Sequence, residues 1–223
     1  MLGIVGGTSL LFSDLPDLTK ERISTPFGPA EVYTGECALL MRHQYGLPPH
    51  RINYRASMAA LAILGVERVV AFGSAGSLKQ DIPPGSLLIP SDYISMTDIP
   101  SIHDHAIEHV NPGLDETLAR ELASLVPEAH RGGVYVQTKG PRIETRAEVQ
   151  MLARIADVVG MTVASEATVA CELGMVFAAL CTIDNYAHGL GGDVLTYEHI
   201  LETSRLHRRR TGDIVSTIVE KMT

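Results

Sequence analysis

Val69-Val70-Ala71-Phe72-Gly73-Ser74-Ala75-Gly76-Ser77 is an apolar run that breaks into small and hydroxyl-bearing residues. Other stretches repeat the pattern: Leu2–Val5 into Gly6-Gly7-Thr8-Ser9, Ala38–Met41 into Arg42-His43, and Val158-Val159 into Gly160-Met161-Thr162. Read as neighbouring strands, they deliver their turns to one place. That place offers backbone N–H groups, hydroxyls and one permanent cation, the groups that hold a phosphate-sized anion without a metal. One such turn is weak evidence. Several of one kind, each after a strand-like run, are hard to obtain by accident. Gly3-Ile4-Val5-Gly6-Gly7-Thr8 also passes for part of a dinucleotide fingerprint. It lacks the full GxGxxG, and Phe12–Pro16 does not read as the helix that must follow.

Working outward, further strand-like runs are Glu31–Thr34, Ser86–Pro90, Gly133–Gln137 and Val176–Cys181, with Glu31–Met41 able to form an antiparallel hairpin. Helical spacing predicts helices over Asn53–Leu64, Leu114–Leu125, Arg146–Ile155, Ser165–Leu173 and Thr196–Lys221. Gly65 and Gly174 fit C-cap positions, and Thr145 with Glu148 has capping-box spacing. Apolar strands alternating with helices predict an α/β fold, a sheet covered on both faces. No linker-like run divides the 223 residues, so one domain over 1–223 is expected. In such folds ligands bind at the carboxyl ends of strands. Lys139–Thr145 and Asp184–Gly189 are placed there too.

Composition narrows the function. A net charge of −8 gives no basic field for a polyanion, which argues against nucleic-acid binding. The basic cluster Arg205–Arg210 reads as a solvated helix face. Three cysteines without CxxC spacing suit buried thiols in a reducing compartment. No apolar run is long enough to span a membrane, and Met1-Leu2-Gly3 starts directly on a strand, so a cytoplasmic protein is expected. His103-Asp104-His105 with His109 invites a metal reading, but flanking Pro and Gly make it a loop, and no further ligand sits at a familiar spacing. No metal is expected; a loop that closes over substrate fits better.

Arg42-His43 ends an apolar strand, where a buried Arg needs an anionic partner. Glu144 and Asn185 together complement a 6-oxopurine: a carboxylate accepts from N1–H, and an amide donates to O6 and faces N7. Adenine has no N1–H and would leave Glu144 facing a lone pair. No nucleophile and base pair stands out. The pattern suits a reaction whose nucleophile is a bound ligand, such as phosphate attacking an anomeric carbon.

In combination, Gly3–Thr8, Arg42-His43, Ile52–Ala56, Gly73–Leu78, Gly140–Glu148, Gly160-Met161-Thr162 and Asn185-Tyr186-Ala187 resemble the trimeric purine nucleoside phosphorylase and methylthioadenosine phosphorylase family over almost the whole chain. The resemblance implies a nucleoside phosphorylase-like fold with a mixed central β-sheet, a homotrimer, no cofactor beyond phosphate as co-substrate, and a role in purine salvage. It implies a phosphate site of Thr8, Arg42, His43, Gly73, Ser74 and Thr162. Glu144 and Asn185 become the catalytic pair that reads the base. Ile143, Met161, Tyr186, Ala187, Tyr197 and His109 complete the nucleoside site, with His109 reaching a neighbouring subunit. Methylthioadenosine-cleaving members typically carry Asp at positions 185 and 187 and a small hydroxyl residue at 144, so this chain is similar to the 6-oxopurine branch. Its amino-terminal motifs are similar to the methylthio-nucleoside side. Inosine, guanosine and 5′-methylthioinosine are the expected substrates. A methylthioadenosine phosphorylase, a nucleosidase and a non-catalytic purine-binding protein stay open as alternatives.

Overall fold

The computed structural model describes residues 1–13, 17–192 and 196–223. In chain order the strands are β1 Leu2–Gly6, β2 Thr19–Thr25, β3 Gly28–Thr34, β4 Ala38–Met41, β5 Arg68–Ser77, β6 Leu87–Ile89, β7 Asp92–Ser95, β8 His130–Arg131, β9 Val134–Gln137, β10 Val158–Gly160 and β11 Val176–Tyr186. The helices are α1 Tyr54–Ile63, α2 Glu116–Leu125, α3 Arg146–Leu152, α4 Val163–Glu172 and α5 Tyr197–Met222. The strands form one mixed sheet whose main path runs β2-β3-β4-β1-β5-β10-β9-β7, with β11 pairing β5 and β6.

The sheet is covered on both faces because its central strands are apolar on both. Val69 and Ala71 of β5 pack in one cluster with Met58 and Leu61 of α1 and Val163 and Ala167 of α4. Val70 and Phe72 point the other way, into a cluster with Leu118 and Leu122 of α2 and Val215 and Ile218 of α5. This is the period-2 alternation of a strand buried on both sides. α3 closes the β9–β10 end through Val149 and Leu152 against Val136 and Val159.

Local signals set the helix ends. The Asn53 side chain accepts from the Ala56 N–H to start α1, and Gly65 after it has φ +78°. Thr145 and Glu148 form the expected capping box on α3.

Some boundaries differ from the sequence reading. Gly73–Ser77 is not a turn. β5 continues through it, because β11 runs beside it in parallel from Val176 to Tyr186 and satisfies its backbone. Asp184 and Asn185 likewise lie within β11 rather than after it. The register shifts between Ile183, opposite Ala75, and Asn185, opposite Gly76, so Asp184 is an extra residue in the ladder. β2, β7 and β8 were not anticipated: β2 is a polar strand paired along its length with β3, and β8 has only two residues. α3 stops at Leu152, three residues short of the expected Ile155, and α4 begins at Val163, two before the expected Ser165. After β1 comes a single 3-10 turn, Thr8–Leu10; residues 14–16 of the Phe12–Pro16 stretch lie outside the described residues.

Candidate active site

The four strands that carry the small-residue motifs, β4, β1, β5 and β10, are consecutive in the sheet. β4, β1 and β5 are parallel and end on the same side. β10 is antiparallel to β5, yet it reaches the same place. Val158 pairs with Ser77 and Val159 with Gly76, so the chain after them runs back towards Ser74. At this convergence lies a cavity of about 1370 Å³. Its wall contains Thr8, Arg42, His43, Ser74 and Thr162 together with Ile143, Glu144, Met161, Asn185, Ala187 and Tyr197. Tyr186 and Gly73 are not among the lining residues. Tyr186 follows Asn185 in β11 and turns away, its hydroxyl donating to the Gln80 carbonyl oxygen at 3.2 Å. Gly73 is buried within β5, where an added Cβ would lie 2.9 Å from Val163. His109 is exposed in a loop that Ile102 and Asn111 tie to α4: the Ile102 N–H donates to Glu172, and the Cys171 thiol donates to the Asn111 carbonyl oxygen.

Arg42 is 3% exposed, and the partner that its burial demands is Glu166 of α4, 1% exposed. Nε donates to Glu166 Oε1 at 2.6 Å, Nη2 to Oε2 at 3.0 Å, and Nη1 to the Phe72 carbonyl oxygen at 2.7 Å. Burial raises the Glu166 carboxyl above its ordinary range, and the Arg42 charge and fork oppose the rise. What Arg42 has left for a ligand is one N–H on each terminal nitrogen. Gly7 permits this seat: an added Cβ there would lie 2.9 Å from Arg42 Nη1.

Next to Arg42, burial and then the Arg42 charge lower the His43 pKa, while the Leu47 contact opposes them, so the ring is neutral at pH 7. Its Nδ1 lies 2.8 Å from the Leu47 carbonyl oxygen, which can only accept. The proton therefore sits on Nδ1 and the Nε2 lone pair is left. Thr162 precedes α4 but makes no side-chain cap, so its hydroxyl is uncommitted. The backbone N–H groups of Thr162 and Val163 already face the Tyr135 hydroxyl, and that of Ser165 bonds Gln137. The start of α4 is thus largely satisfied by protein, and side chains are what this wall leaves for a ligand.

On the other side of the cavity, Glu144 is buried and accepts from the Thr138 hydroxyl through Oε1. Oε2 is left as an acceptor. Asn185 donates one Nδ2 hydrogen to the Tyr186 carbonyl oxygen at 2.7 Å, which fixes the amide's orientation and leaves its second N–H and its Oδ1. Opposite it, an added Cβ on Gly76 would lie 3.1 Å from Asn185 Nδ2, so the glycine gives the amide its room. Asp184, 6% exposed, sits behind the wall, accepting from the Ser74 hydroxyl. Burial raises its carboxyl to about 6, with the Ser74 and Thr182 hydroxyls pulling it down.

Glu166 and Thr138 escaped the sequence reading, which placed Asp184 at the strand ends without giving it a role. A signal existed for Glu166 and Asp184. Glu166 is the one charge inside Val163–Cys171, and Asp184 the one charge inside Val176–Tyr186. A lone carboxylate in an apolar element needs a buried partner. Among the described residues no His/Cys/Asp/Glu group is arranged to hold a metal ion.

Residues 1–220 match the model of the phosphorylase superfamily. A probable 6-oxopurine nucleoside phosphorylase of Archaeoglobus fulgidus is 42% identical, the alignment covering 100% of this chain and 97% of the relative. A probable S-methyl-5′-thioinosine phosphorylase of Methanocaldococcus jannaschii is 40% identical, covering 91% of this chain and 85% of the relative. The structure of a methylthioadenosine phosphorylase from Schistosoma mansoni in complex with tubercidin superimposes with a TM-score of 0.87 at 22% identity, covering 99% of this chain and 91% of that one, a likeness of fold.

Proposed function

The chain belongs to the phosphorylase superfamily, and from that premise we propose that it cleaves 6-oxopurine nucleosides with phosphate, releasing the free base and a ribose 1-phosphate. The observation that carries this reading is that one cavity holds a carboxylate oxygen of Glu144 and an amide of Asn185 facing the same space as Arg42, His43, Ser74 and Thr162. The first pair is matched to N1–H and to O6 and N7 of hypoxanthine or guanine. The second group is matched to phosphate. A phosphate oxygen attacks C1′ as the glycosidic bond to N9 breaks, and the bonding pair passes into the purine. The Asn185 N–H meets the charge that collects at N7, an interaction stronger in the transition state than in the bound substrate.

A methylthio group at the 5′ position is favoured over a hydroxyl by the rest of the wall. Leu10, Leu11, Leu18, Met41 and Ile200 make it apolar. The volume also exceeds the roughly 300–1,000 Å³ of ordinary small-molecule sites. Tyr197 stands at this end, at the start of α5. We place the enzyme in purine salvage in the cytoplasm, as a single domain working without a cofactor and assembled as a homotrimer. Its three cysteines are free thiols, in keeping with a reducing compartment. The fully exposed Ile107 in the His109 loop suits a subunit contact.

The test is turnover of inosine, guanosine, 5′-methylthioinosine and adenosine with and without phosphate. Cleavage of the 6-oxopurine nucleosides that stops when phosphate is withheld is the expected result. Undiminished cleavage without phosphate would make the protein a nucleosidase, and binding without turnover a purine-binding protein.

A further inference from the structure

We infer that Asp184 is the proton-linked partner of the phosphate site: Ser74 can hold a dianionic oxygen only when Asp184 carries a proton, so binding of the dianion draws one proton from solution. This rests on the reading of the cavity as a phosphate site, and it adds a positioning residue that touches no substrate.

The argument begins with one hydrogen. Ser74 lines the cavity, and its hydroxyl proton is spent on Asp184 Oδ2. A hydroxyl has a single proton, so the side that Ser74 turns to the cavity is lone pairs. Lone pairs repel an unprotonated phosphate oxygen, and the one P–OH of the dianion has the His43 Nε2 lone pair to meet. If Asp184 is protonated the direction reverses: the carboxylic acid donates to Ser74 Oγ, and the Ser74 proton turns to the anion.

Charge points the same way. Arg42 is the only Lys or Arg among the described residues lining the cavity, and Glu166 already matches its charge. Asp17 and Glu144 line the same cavity. A dianion therefore enters a site with no net positive charge, and a proton taken up by His43 or by a buried carboxylate is the available compensation.

Asp184 is the group placed to take it. Among the described residues it has hydroxyl partners, Ser74 and Thr182, and no ion-pair partner. Burial raises Glu166 as well, but both of its oxygens are taken by the Arg42 fork, so a proton there would break that ion pair. The titratable neighbours are few. Cys181 on the same strand is a neutral thiol, pushed up to about 12 by burial. α5 brings His207 and Arg210 to Gly85, whose N–H bonds the Ile183 carbonyl oxygen. Neutral His43 shares the cavity wall and also gains a proton as pH falls.

The experiment is calorimetric titration with sulfate, which stays a dianion across the working range, so that the ligand's own titration is silent. Repeating it at pH 7 in buffers of different ionisation enthalpy counts the protons taken up. The wild type, Asp184→Asn and Ser74→Ala are compared; the asparagine amide donates to Ser74 as the protonated acid does. The wild type is expected to take up about one proton more than either variant. Its sulfate affinity should also fall about fifty-fold between pH 6 and 8 beyond any fall seen in Asp184→Asn. Any uptake by His43 is common to all three proteins and cancels. If Asp184→Asn does not fold, Ser74→Ala carries the same comparison. Equal proton counts with sulfate still bound would overturn the inference and leave the phosphate site standing. No sulfate binding in any of the proteins at any pH would remove the phosphate site itself.

Discussion

Replacing Glu166 with Gln should weaken the fold and strengthen the proposed phosphate site at once. The pair it forms with Arg42 is buried on both sides and is bidentate, with contacts of 2.6 and 3.0 Å. Removing one partner of such a pair leaves a buried charge uncompensated and costs about 3–5 kcal/mol. Gln has the same shape and keeps one acceptor for the fork, so the loss should sit near the lower figure, about 3 kcal/mol. The stranded Arg42 charge then becomes available to an anion. Phosphate should bind the variant at least about tenfold more tightly, a gain of about 1.4 kcal/mol in the stabilisation that a fixed saturating phosphate concentration provides. The assay is urea unfolding of both proteins at pH 7.5, with and without phosphate. A loss below about 1 kcal/mol without phosphate would mean that the pair is not what holds Arg42 in place. Equal stabilisation of the two proteins by phosphate would mean that Glu166 does not neutralise Arg42.

At the proposed base site, Glu144→Gln or Asn185→Asp alone should cost about 2–4 kcal/mol of transition-state binding, on the order of 30- to 1000-fold in kcat/KM for inosine. Asn185→Asp combined with Glu144→Ser should shift preference towards adenine nucleosides, read as the ratio of the two kcat/KM values. Asp184 makes stability depend on pH. Its carboxyl is raised from 3.8 to about 6 on folding, so the folded state binds the proton more tightly. Stability from this group is present below pH 4 and is lost as pH rises through about 6, a change of about 3 kcal/mol. Asp184→Asn should therefore be more stable than wild type at pH 8 and should lose that advantage near pH 4, as urea midpoints across pH would register. Thr145→Ala removes the hydroxyl that caps α3 and should cost about 1 kcal/mol in the same assay at pH 7.

The sequence carried most of the architecture because its signals were local. Asn53, Gly65, Thr145 and Glu148 act on their own backbone, and the apolar runs of β1, β4 and β9 are bounded by residues that interrupt the pattern. Where the partner is distant, locality fails. Gly73–Ser77 has the composition of a turn and becomes a strand only because β11, some hundred residues later, lies beside it. The polar β2 exists because β3 pairs with it. The same limit applies in the cavity. Arg42 could be read as a buried cation in need of an anion, but naming Glu166 requires knowing that α4 packs over β5 and β11. Glu144 and Asn185 were legible as a chemical match to one kind of base. The bond from Ser74 to Asp184 was not, since it joins two strands across the ladder.

The shifted register in β11 has a meaning for how this strand can be edited. Asp184 is the residue without a ladder partner: Ile183 stands opposite Ala75, and Asn185 opposite Gly76. In an unbroken strand consecutive residues point to opposite faces, so the acid bonded to Ser74 and the amide opposite Gly76 could not be adjacent in sequence and face the same side. The irregularity allows it. A one-codon deletion at position 184 would leave Ile183 opposite Ala75 and bring Asn185 directly after it, still opposite Gly76, with Tyr186 still opposite Ser77. The acid is therefore a detachable insertion, one that can be gained or lost without shifting the frame of the residues that follow it.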